Sequence, residues 1–560
     1  LHLCDRRQRQ MCIRDRNLTK RQGKREILVA FGKPIHGFID ATAMKQKVLE
    51  LSFSVWEKVM SKRKPLMHHW LNSAKSNLFK EAAVDAQGTK LNNLKFIAAV
   101  LMFVKTLKAA LGNEKNVGVL LPSSSIGAII NMTLMVMGKV PVNLNYTLSP
   151  EVMEKALKKA NISQVITSEK FLDKLNAKGF DFSQVVADKA LFMENLGKSI
   201  TKANKVRSFL TAFLAPQWWI KLRYFADVSL DDNATILFSS GSEGDPKGIE
   251  LSHKNLLTNI KQIGELLNFH KDDVILNSLP IFHSFGLTVT TLLPLCEGIK
   301  MVSVADPTDG ATVGKMCARH RVSILFGTST FFRLYVRNKK FHPLMLQNVR
   351  MVIAGAEKLK ADVKEAFKLK FGLEIYEGYG ATETAPVASV NMPNLLDPET
   401  LQEFTFNQSG TVGMPLPGTI IKIVDPESLQ ELPVGEDGLI LIGGGQVMKG
   451  YLNAPEKTAE VIVEIDGVRY YKTGDKGHID HNGFITIVDR YSRFAKVGGE
   501  MISLGSVEEK LAQVFDEENQ FVAVALSDDK KGESIVLLIK SALSLSLIHI
   551  SEPTRRVVIS

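Results

Sequence analysis

Residues Thr235–Glu250 have the sequence TILFSSGSEGDPKGIE, in which an apolar run leads into a loop of serines, glycines and one lysine. Glycines allow a loop backbone to turn its N–H groups toward an anion without interference from Cβ atoms. The serine hydroxyls add donors, and the lysine adds a positive charge. The pattern predicts a phosphate-binding loop followed by a helix from about His253. The residues expected to line the loop are Ser239, Ser240, Gly241, Ser242, Gly244 and Lys247.

A Walker loop and an ordinary surface turn are the alternatives for this segment. A Walker loop requires the pattern GxxxxGK followed by Ser or Thr. Lys247 instead stands between Pro246 and Gly248, which argues against that motif. A surface turn stays open as an alternative, because Gly and Ser are common in turns.

The chain around this loop alternates short apolar runs with helix-length patterns from about Asn116 onward. Strands separated by helices predict parallel βαβ layers, and hence a large α/β domain. After about Thr411, short strands and Gly-rich turns predict a smaller β subdomain. The expected strands are Val117–Leu121, Gln164–Thr167, Thr235–Phe238, Val274–Leu279, Val322–Phe326 and Met351–Ala354, and the expected helices include Ile126–Gly138 and Ala361–Phe371.

Composition excludes several classes of protein. The 560 residues are 45% hydrophobic and 23% charged, as in a globular protein with several domains. The net charge is +11, but nine Lys and Arg against two Asp in residues 1–25 account for +7 of it, so we expect no nucleic-acid partner. The four cysteines form no CxxC pair, which predicts neither a zinc site nor a disulfide framework and favours the cytoplasm.

The sequence predicts no membrane-spanning helix, but one segment bears on contact with a membrane surface. No apolar run reaches the roughly 20 residues that a spanning helix needs. The segment Phe209–Phe225, FLTAFLAPQWWIKLRYF, carries two adjacent tryptophans and two basic residues. It is either a buried helix with a turn at Pro216 or an interfacial contact with a membrane surface, peripheral to the inner membrane.

Further motifs follow the loop in a fixed order. They are Pro280–Gly286 (PIFHSFG), Gly355-Ala356-Glu357, Gly378–Pro386 (GYGATETAP), Tyr471–Asp475 (YKTGD) and Asp489-Arg490. Taken singly, each is more typical of solvated surface polarity, and His283 is as typical of a buried core histidine. As an ordered set, they resemble the signature of the adenylate-forming superfamily, which contains acyl-CoA synthetases, peptide-synthetase adenylation domains and luciferases.

This resemblance implies ATP and Mg²⁺ as cofactors and assigns expected roles to individual residues. It implies Glu383 as the magnesium ligand, since a carboxylate that shares a hard cation with phosphate oxygens suits magnesium. It implies Asp475 as the acceptor from the ribose hydroxyls, supported by Arg490. The expected catalytic residues are Lys247, Thr382, Glu383 and His283, the last as a gate beside the acyl pocket. The remaining expected ATP contacts are Gly355, Ala356, Glu357, Tyr379 and Gly380.

Three features narrow the resemblance to one group within the superfamily. They are Ser239–Gly248 (SSGSEGDPKG), Pro141–Tyr146 (PVNLNY) and Ser492–Met501 (SRFAKVGGEM). They are similar to the acyl-carrier-protein synthetase half of bifunctional acyl-ACP synthetase/2-acylglycerophosphoethanolamine acyltransferases. This implies a fatty acid as substrate, transfer to a phosphopantetheine thiol on acyl-carrier protein or CoA, and a role in phospholipid acylation. An apolar segment with Phe282, Phe285 and Leu287 around His283 favours a fatty acid over an amino acid.

Departures from the family pattern leave two alternatives open. His36 and Asp40 are separated by three residues, so the HxxxxD motif of a glycerolipid acyltransferase is absent. The family's closing Gly-Lys motif is not found before recognisable sequence stops near Lys540, and Lys530 and Lys531 do not match it. The alternatives are a catalytically impaired nucleotide- or acyl-binding fragment and the donor-loading part of a lysophospholipid acyltransferase.

The resemblance also predicts domain boundaries. We expect a non-native leader at 1–24, an acyltransferase remnant and linker at 25–70 and the AMP-binding N-terminal domain at 71–488. A truncated C-terminal domain is expected at 489–542 and a non-native tail at 543–560. Ser492 lies near the expected hinge between the two AMP-binding domains, where many relatives have Asp or Lys.

Overall fold

The computed structural model describes residues 29–35, 37, 41–239, 245–497, 500–511, 521–528, 532–539 and 556–559. The chain divides into two units. The first comprises Leu1–Ile420 with Ile442–Tyr471, and the second comprises Ile421–Leu441 with Lys472–Ser560.

The helices alternate with the strands along most of the first unit. In chain order, the α-helices of the described residues are α1 (Ala41–Met60), α2 (Leu66–Ser76), α3 (Asn93–Leu111), α4 (Ser125–Val136), α5 (Pro150–Lys159), α6 (Glu169–Asn176), α7 (Ser183–Val186), α8 (Met193–Ser199), α9 (Lys202–Leu214), α10 (Gln217–Tyr224), α11 (His253–Leu267), α12 (Leu293–Glu297), α13 (Gly310–His320), α14 (Ser329–Arg337), α15 (Ala361–Phe371), α16 (Pro455–Val461) and α17 (Leu504–Leu511). A π-helix spans Phe285–Leu292, and 3₁₀ turns span Pro343–Leu346, Thr382–Thr384 and Tyr491–Arg493.

The strands are mostly short. In chain order they are β1 (Glu81–Asp85), β2 (Lys90–Asn92), β3 (Asn116–Leu120), β4 (Val140–Asn143), β5 (Val165–Thr167), β6 (Ala190–Phe192), β7 (Asn233–Ser239), β8 (Lys247–Ser252), β9 (Val274–Asn277), β10 (Lys300–Ser303), β11 (Ile324–Gly327), β12 (Met351–Ala354), β13 (Ile375–Gly380), β14 (Val387–Val390), β15 (Leu395–Leu396), β16 (Glu403–Phe404), β17 (Met414–Pro415), β18 (Ile420–Val424), β19 (Gly438–Gly443), β20 (Gly450–Tyr451), β21 (Ile462–Ile465), β22 (Val468–Ile479), β23 (Ile485–Arg490), β24 (Phe494–Val497), β25 (Glu500–Ser503), β26 (Phe521–Asp528), β27 (Gly532–Ile539) and β28 (Arg556–Ile559).

Two large sheets organise the first unit. One has the strand order β17-β14-β13-β12-β11-β9-β10-β1-β2, and the other has the order β20-β8-β7-β4-β3-β5-β6. Their central pairs are parallel, for example β3 with β4 and β11 with β12. The prediction of an α/β fold with parallel layers is therefore confirmed for the sheet centres. Three of the four sheet edges carry antiparallel pairs, formed by β8 with β7 and β20, by β14 with β13 and β17, and by β2 with β1, whereas β6 pairs with β5 in parallel register.

Sequence pattern explains the central strands. β4, β9, β11 and β12 are buried at every position, which is the pattern of a parallel strand covered by helices on both faces. Helices begin at good caps: the Ser124 side chain accepts from the Gly127 N–H at the start of α4. Ser252 and Asn255 form a capping box at the start of α11.

The first unit includes residues on the N-terminal side of position 71. Leu66, Met67 and Trp70 of α2 are buried in the same hydrophobic cluster as Phe96 of α3. Residues 29–35 adopt no regular secondary structure, and Phe31 is 91% exposed.

The second unit is rich in strands. β18, β19, the later part of β22 and β23 form one sheet, and β22 pairs with β23 in antiparallel register. A second sheet has the order β25-β24-β27-β26, and β28 pairs with β27. Lys530 and Lys531, and residues 1–24 of the expected leader, lie outside the described residues.

No helix in the described part of the chain is both long and apolar enough to cross a membrane. The segment Phe209–Phe225 is not a buried helix. It forms the last part of α9, a turn at Ala215-Pro216 and then α10, with most of its large apolar side chains exposed.

Candidate active site

An antiparallel hairpin, rather than a strand followed directly by a helix, presents the predicted phosphate loop. β7 and β8 pair with Ser239 opposite Lys247, and α11 begins only after β8, at His253. Ser240, Gly241, Ser242 and Gly244 lie outside the described residues. The end of the loop is held by Lys159, whose Nζ lies 3.0 Å from Asp245 Oδ2 and donates to the Pro246 carbonyl at 3.0 Å.

Lys247 belongs to a polar cluster that also contains Tyr451 and Glu383. The Lys247 Nζ lies 5.5 Å from the centre of the Tyr451 ring, within the range of a cation–π interaction. The Tyr451 hydroxyl donates to Glu383 Oε1 at 2.9 Å. Strand β20 carries Tyr451 next to β8, with Tyr451 opposite Ile249. The structure therefore brings together two residues of widely separated motifs through a tyrosine that neither motif contains.

The protonation state of Tyr451 suits the role of donor. Burial, followed by the charge of the Glu383 carboxylate, raises the pKa of the Tyr451 hydroxyl well above its ordinary value of 10.0. A hydrogen bond with Tyr471 opposes this shift. The hydroxyl therefore stays protonated at neutral pH and donates to the carboxylate.

The turn that carries Glu383 is closely packed. A Cβ atom on Gly380 would lie 1.9 Å from the Pro386 carbonyl oxygen, so only glycine fits there. The Thr384 hydroxyl donates to the same carbonyl at 2.7 Å. The Met448 N–H donates to the Glu383 carbonyl at 2.7 Å. These contacts hold the backbone of the Tyr379–Glu383 segment in place, and with it the directions of the Thr382 and Glu383 side chains.

Thr382 links this turn to the His283 segment. The hydroxyls of Thr382 and Ser284 lie 3.2 Å apart. His283 itself is exposed, so its interpretation as a core histidine is wrong. Its ring lies 4.5 Å from that of Phe282, and desolvation by surrounding protein atoms lowers the pKa of His283 below its usual 6.5. The imidazole is therefore mainly neutral at neutral pH.

The apolar residues expected around His283 are placed differently from the prediction. Phe282 and Leu287 are buried at 2% and 0% exposure and belong to the hydrophobic core. The Phe282 ring packs edge-on against Tyr146 at 4.6 Å. Phe285 is partly exposed and packs against Phe326 at 5.9 Å. Of these three residues, Phe285 alone retains surface that could line a pocket.

The expected adenine-side residues follow β12 directly. The Gly355 N–H donates to the Gly327 carbonyl at 3.1 Å, and Ala356 is exposed with φ of 70°. The Glu357 carboxylate accepts from the Thr330 N–H at 2.5 Å and from the Thr330 hydroxyl at 3.0 Å. Glu357 thus caps the N-terminus of α14, where a carboxylate is favoured by the helix dipole. Its predicted contact with ATP stays a prediction.

Asp475 and Arg490 lie in the second unit and are paired there. They stand opposite each other in the β22–β23 ladder, and Arg490 Nε donates to Asp475 Oδ1 at 3.0 Å. The Asp475 N–H donates to the Thr473 hydroxyl at 3.0 Å. Asp475 is 7% exposed. The pairing is compatible with the predicted ribose contact, which stays a prediction.

The side chains beside Glu383 suit magnesium bound together with a phosphate substrate rather than a metal held by protein ligands alone. Within the described ranges, no group of three or more His, Cys, Asp or Glu side chains could form a metal cage. A single carboxylate, Glu383, beside the Thr382 hydroxyl fits magnesium, which is typically held by one or two carboxylates together with substrate phosphates. These residues therefore fit a metal that arrives with ATP.

Sequence analysis missed Tyr451 and Ser284. Ser284 stands within the quoted PIFHSFG motif, so its proximity to Thr382 could have been suspected. Tyr451, in KGYLNAP, carries no local signal of its role. Only the pairing of β20 with β8 brings its ring to Lys247.

The sequence is similar to a known enzyme family and to fatty-acid–CoA ligases. The AMP-binding enzyme family matches residues 73–452, more than half of the chain. The long-chain-fatty-acid–CoA ligase of Salmonella typhimurium is 27% identical over 458 residues, covering 78% of this chain and 79% of the ligase. The ligase of the same name from Bacillus subtilis is 26% identical over 479 residues, covering 81% and 82%.

Solved structures show the same fold. ATP-bound MatB from Rhodopseudomonas palustris has a TM-score of 0.67 at 24% identity, covering 84% of this chain and 88% of MatB. The o-succinylbenzoate CoA synthetase MenE from Bacillus subtilis, in complex with its acyl-adenylate intermediate, has a TM-score of 0.69 at 22% identity, covering 86% and 90%.

The fold is that of the adenylate-forming enzymes, as predicted. The chain belongs to the family of AMP-binding enzymes. The prediction of ATP and Mg²⁺ as cofactors is confirmed at the level of this family.

Proposed function

We propose that this chain uses ATP to activate a fatty acid as its acyl-adenylate and then transfers the acyl group to a phosphopantetheine thiol. The observation that carries the proposal is the contact of Lys247 and Glu383 with the same tyrosine. A cation over the ring of Tyr451 and a carboxylate at its hydroxyl are suited to bind the triphosphate and its metal. The similarity to long-chain-fatty-acid–CoA ligases supports a fatty acid as the substrate.

The first half-reaction requires position and charge rather than a covalent nucleophile. A carboxylate oxygen of the fatty acid attacks the α-phosphorus of ATP, and the bond from that phosphorus to the bridging oxygen breaks. Pyrophosphate leaves with the electron pair. Lys247 and the hydroxyl of Thr382 would bind phosphate oxygens, and Glu383 would hold magnesium, which neutralises phosphate charge when bound.

The second half-reaction releases AMP. The thiol sulfur attacks the acyl carbonyl carbon, the thiol proton goes to solvent or to a base, and the bond from the carbonyl carbon to the adenylate oxygen breaks. AMP leaves as the anion. His283 is exposed and mainly neutral, so it can rotate between positions beside Phe285 without the cost of burying a charge. We propose that it acts as the gate to the acyl site.

Two acceptors are compatible with this chemistry. The fatty-acid ligases to which the chain is similar transfer to CoA. The motifs SSGSEGDPKG, PVNLNY and SRFAKVGGEM resemble the acyl-carrier-protein synthetases, and we propose acyl-carrier protein as the preferred acceptor and phospholipid acylation as the role. We also propose that the chain works at a membrane surface, since fatty acids and lysophospholipids partition into bilayers.

Fatty-acid-dependent exchange of pyrophosphate into ATP tests the first half-reaction. We expect exchange with tetradecanoate or hexadecanoate and none with amino acids, and a preference for any amino acid would refute the proposal. Supplying CoA or holo-acyl-carrier protein then distinguishes the acceptors. Binding of ATP without exchange would support the impaired-fragment alternative.

A further inference from the structure

Helices α9 and α10 present an exposed apolar face that the ligase chemistry does not use. Only Ser208 and Ala212 of α9, and Ile220 of α10, are buried. Leu214, Trp218 and Leu222 are 70%, 66% and 79% exposed. Monomeric proteins rarely leave so many large apolar side chains in water without a partner. This apolar face comprises Val206, Phe209, Leu210, Phe213, Leu214, Trp218, Trp219 and Leu222.

The charge of the same two helices has one sign. Residues Lys202–Tyr224 contain no Asp or Glu, and their basic residues are Lys202, Lys205, Arg207, Lys221 and Arg223. Apolar side chains with two tryptophans, flanked by cations alone, are the pattern of a helix that lies in the interface of an anionic membrane.

A cavity of about 600 Å³ opens beside α10. It is lined by four cationic side chains, Arg63, Lys64, Lys221 and Lys254, against two acidic residues, Asp227 and Asp231. Lys254 is paired with Glu57 at 2.7 Å, and the Lys221 Nζ donates to Asn72 Oδ1 at 2.7 Å. His68 also lines it, and burial, followed by the charges of Lys221 and Lys64, lowers the pKa of His68 to about 4.

The cavity and the apolar face meet at one turn of helix. Leu222 belongs to the apolar face and also lines the cavity, next to Lys221. Trp218 stands four residues earlier, on the same side of α10 as Leu222. If Trp218 and Leu222 enter the acyl boundary of a bilayer, Lys221 and the cavity reach the depth of the phosphate groups.

We propose that α9 and α10 form a docking surface for an anionic phospholipid bilayer, and that the cavity beside Lys221 receives the phosphate of one lipid headgroup. This proposal specifies the membrane contact proposed above by its residues and its lipid chemistry. It does not depend on the ligase reaction, and ATP binding measured on the same variants separates the two.

Flotation of the full chain with lipid vesicles tests the proposal. We expect binding to vesicles that contain phosphatidylglycerol and little binding to pure phosphatidylcholine. Residues 1–25 carry a net charge of +7 and add a background, so the decisive comparison is among variants that share this segment. The tryptophan emission should shift to the blue on binding, since two of the four tryptophans lie in the apolar face.

Exposed side chains can be changed with little risk to folding. The double variant Trp218→Ser, Leu222→Ser should bind phosphatidylglycerol vesicles at least about tenfold more weakly. Losing even one partly inserted apolar side chain has about this effect, so it is a lower bound for losing two. Lys221→Gln should weaken binding about fivefold, the effect of one cation at an anionic surface. The matched controls are Leu369→Ser, at a position that is 87% exposed on α15, and Lys339→Gln, at another exposed position.

Several results would overturn the proposal. Equal binding to phosphatidylglycerol and phosphatidylcholine vesicles would refute the preference for anionic lipid. Unchanged binding of both variants would show that α9 and α10 are not the docking surface. If wild type is a dimer that the double variant dissociates, and neither binds vesicles, a second copy covers the face instead. Inorganic phosphate should displace the protein from phosphatidylglycerol vesicles more strongly than sodium chloride of equal ionic strength, because it competes for the cavity, and Lys221→Gln should reduce this difference. Equal displacement by the two salts would remove the phosphate site from the proposal. Unchanged thermal melting and ATP binding show that the variants are folded.

Discussion

Replacing Tyr451 with phenylalanine isolates the hydrogen bond that joins the site together. The change removes the hydroxyl that donates to Glu383 Oε1 at 2.9 Å and keeps the ring that lies 5.5 Å from the Lys247 ammonium. A hydrogen bond to a charged group contributes about 1.5–3 kcal/mol. Because Glu383 is partly exposed, we take the lower end, about 1.5–2 kcal/mol, which corresponds to a factor of about 10–30.

The loss of the Tyr451–Glu383 hydrogen bond should change the magnesium dependence of ATP binding. Groups that orient a metal-binding carboxylate commonly affect metal affinity by about 10–100-fold. We therefore expect calorimetric titrations of Tyr451→Phe with ATP to need about 10–30-fold more magnesium for half-maximal binding. Tyr451→Leu, which also removes the aromatic ring near Lys247, should lose about 0.5–1 kcal/mol more.

Tyr376→Phe is the matched control, because it removes a hydroxyl from a partly buried tyrosine of β13. It should leave the magnesium dependence unchanged. The reasoning is refuted if Tyr451→Phe melts like wild type and titrates with the same magnesium dependence. It is also refuted if both variants weaken ATP binding equally.

Three further predictions follow from individual contacts. Asp475→Ala should weaken ATP binding by about 1–3 kcal/mol in calorimetry through lost hydrogen bonds to a charged acceptor, whereas Asp437→Ala, at the salt bridge with His478, should not. Gly380→Ala should lower the free energy of unfolding by about 1–3 kcal/mol in urea titrations, because its Cβ would meet the Pro386 carbonyl at 1.9 Å. The control is Gly197→Ala in α8, which has open space at Cβ and should leave this free energy unchanged or slightly higher. Burial raises the pKa of Asp273, but hydrogen bonds from Arg350, Ser323 and His270 outweigh it and leave this pKa below 3.8. The stabilisation by Asp273 should therefore be complete above pH 3.8 and be lost as the pH falls through the folded-state pKa, and Arg350→Ala should flatten this part of the stability curve.

Much of the fold is readable from local patterns. β12 and α15 have the predicted bounds, Met351–Ala354 and Ala361–Phe371, because continuous burial and helical periodicity are both local properties of the chain. The helix after the phosphate loop begins at His253 as predicted, where Ser252 provides the cap. β8 was missed because its six residues follow a loop and alternate little, and only pairing with β7 makes them a strand.

The candidate site was readable only as a set of separate motifs. The ordered motifs of Lys247, Glu383 and Asp475 pointed to an ATP-using, adenylate-forming enzyme, which the family match bears out. The placement of Phe282 and Leu287 could not be read, because an apolar residue looks the same in a sequence whether it lines a pocket or fills a core. The exposure of His283 could not be predicted either, because histidine occurs both in protein cores and at surfaces.

The sequence by itself determined the class of enzyme and the alternation of strands and helices in the large α/β domain, and it supplied the motifs expected to contact ATP, because these depend on residue type and short spacing. Tertiary structure alone decided that Tyr451 contacts both Lys247 and Glu383, although Tyr451 and Glu383 are 68 residues apart in the chain. It also decided that Trp218 and Leu222 face solvent while Ile220 between them is buried. Both outcomes depend on which elements pack against each other. Contact between residues distant in the chain is a property of the folded molecule that no local pattern encodes.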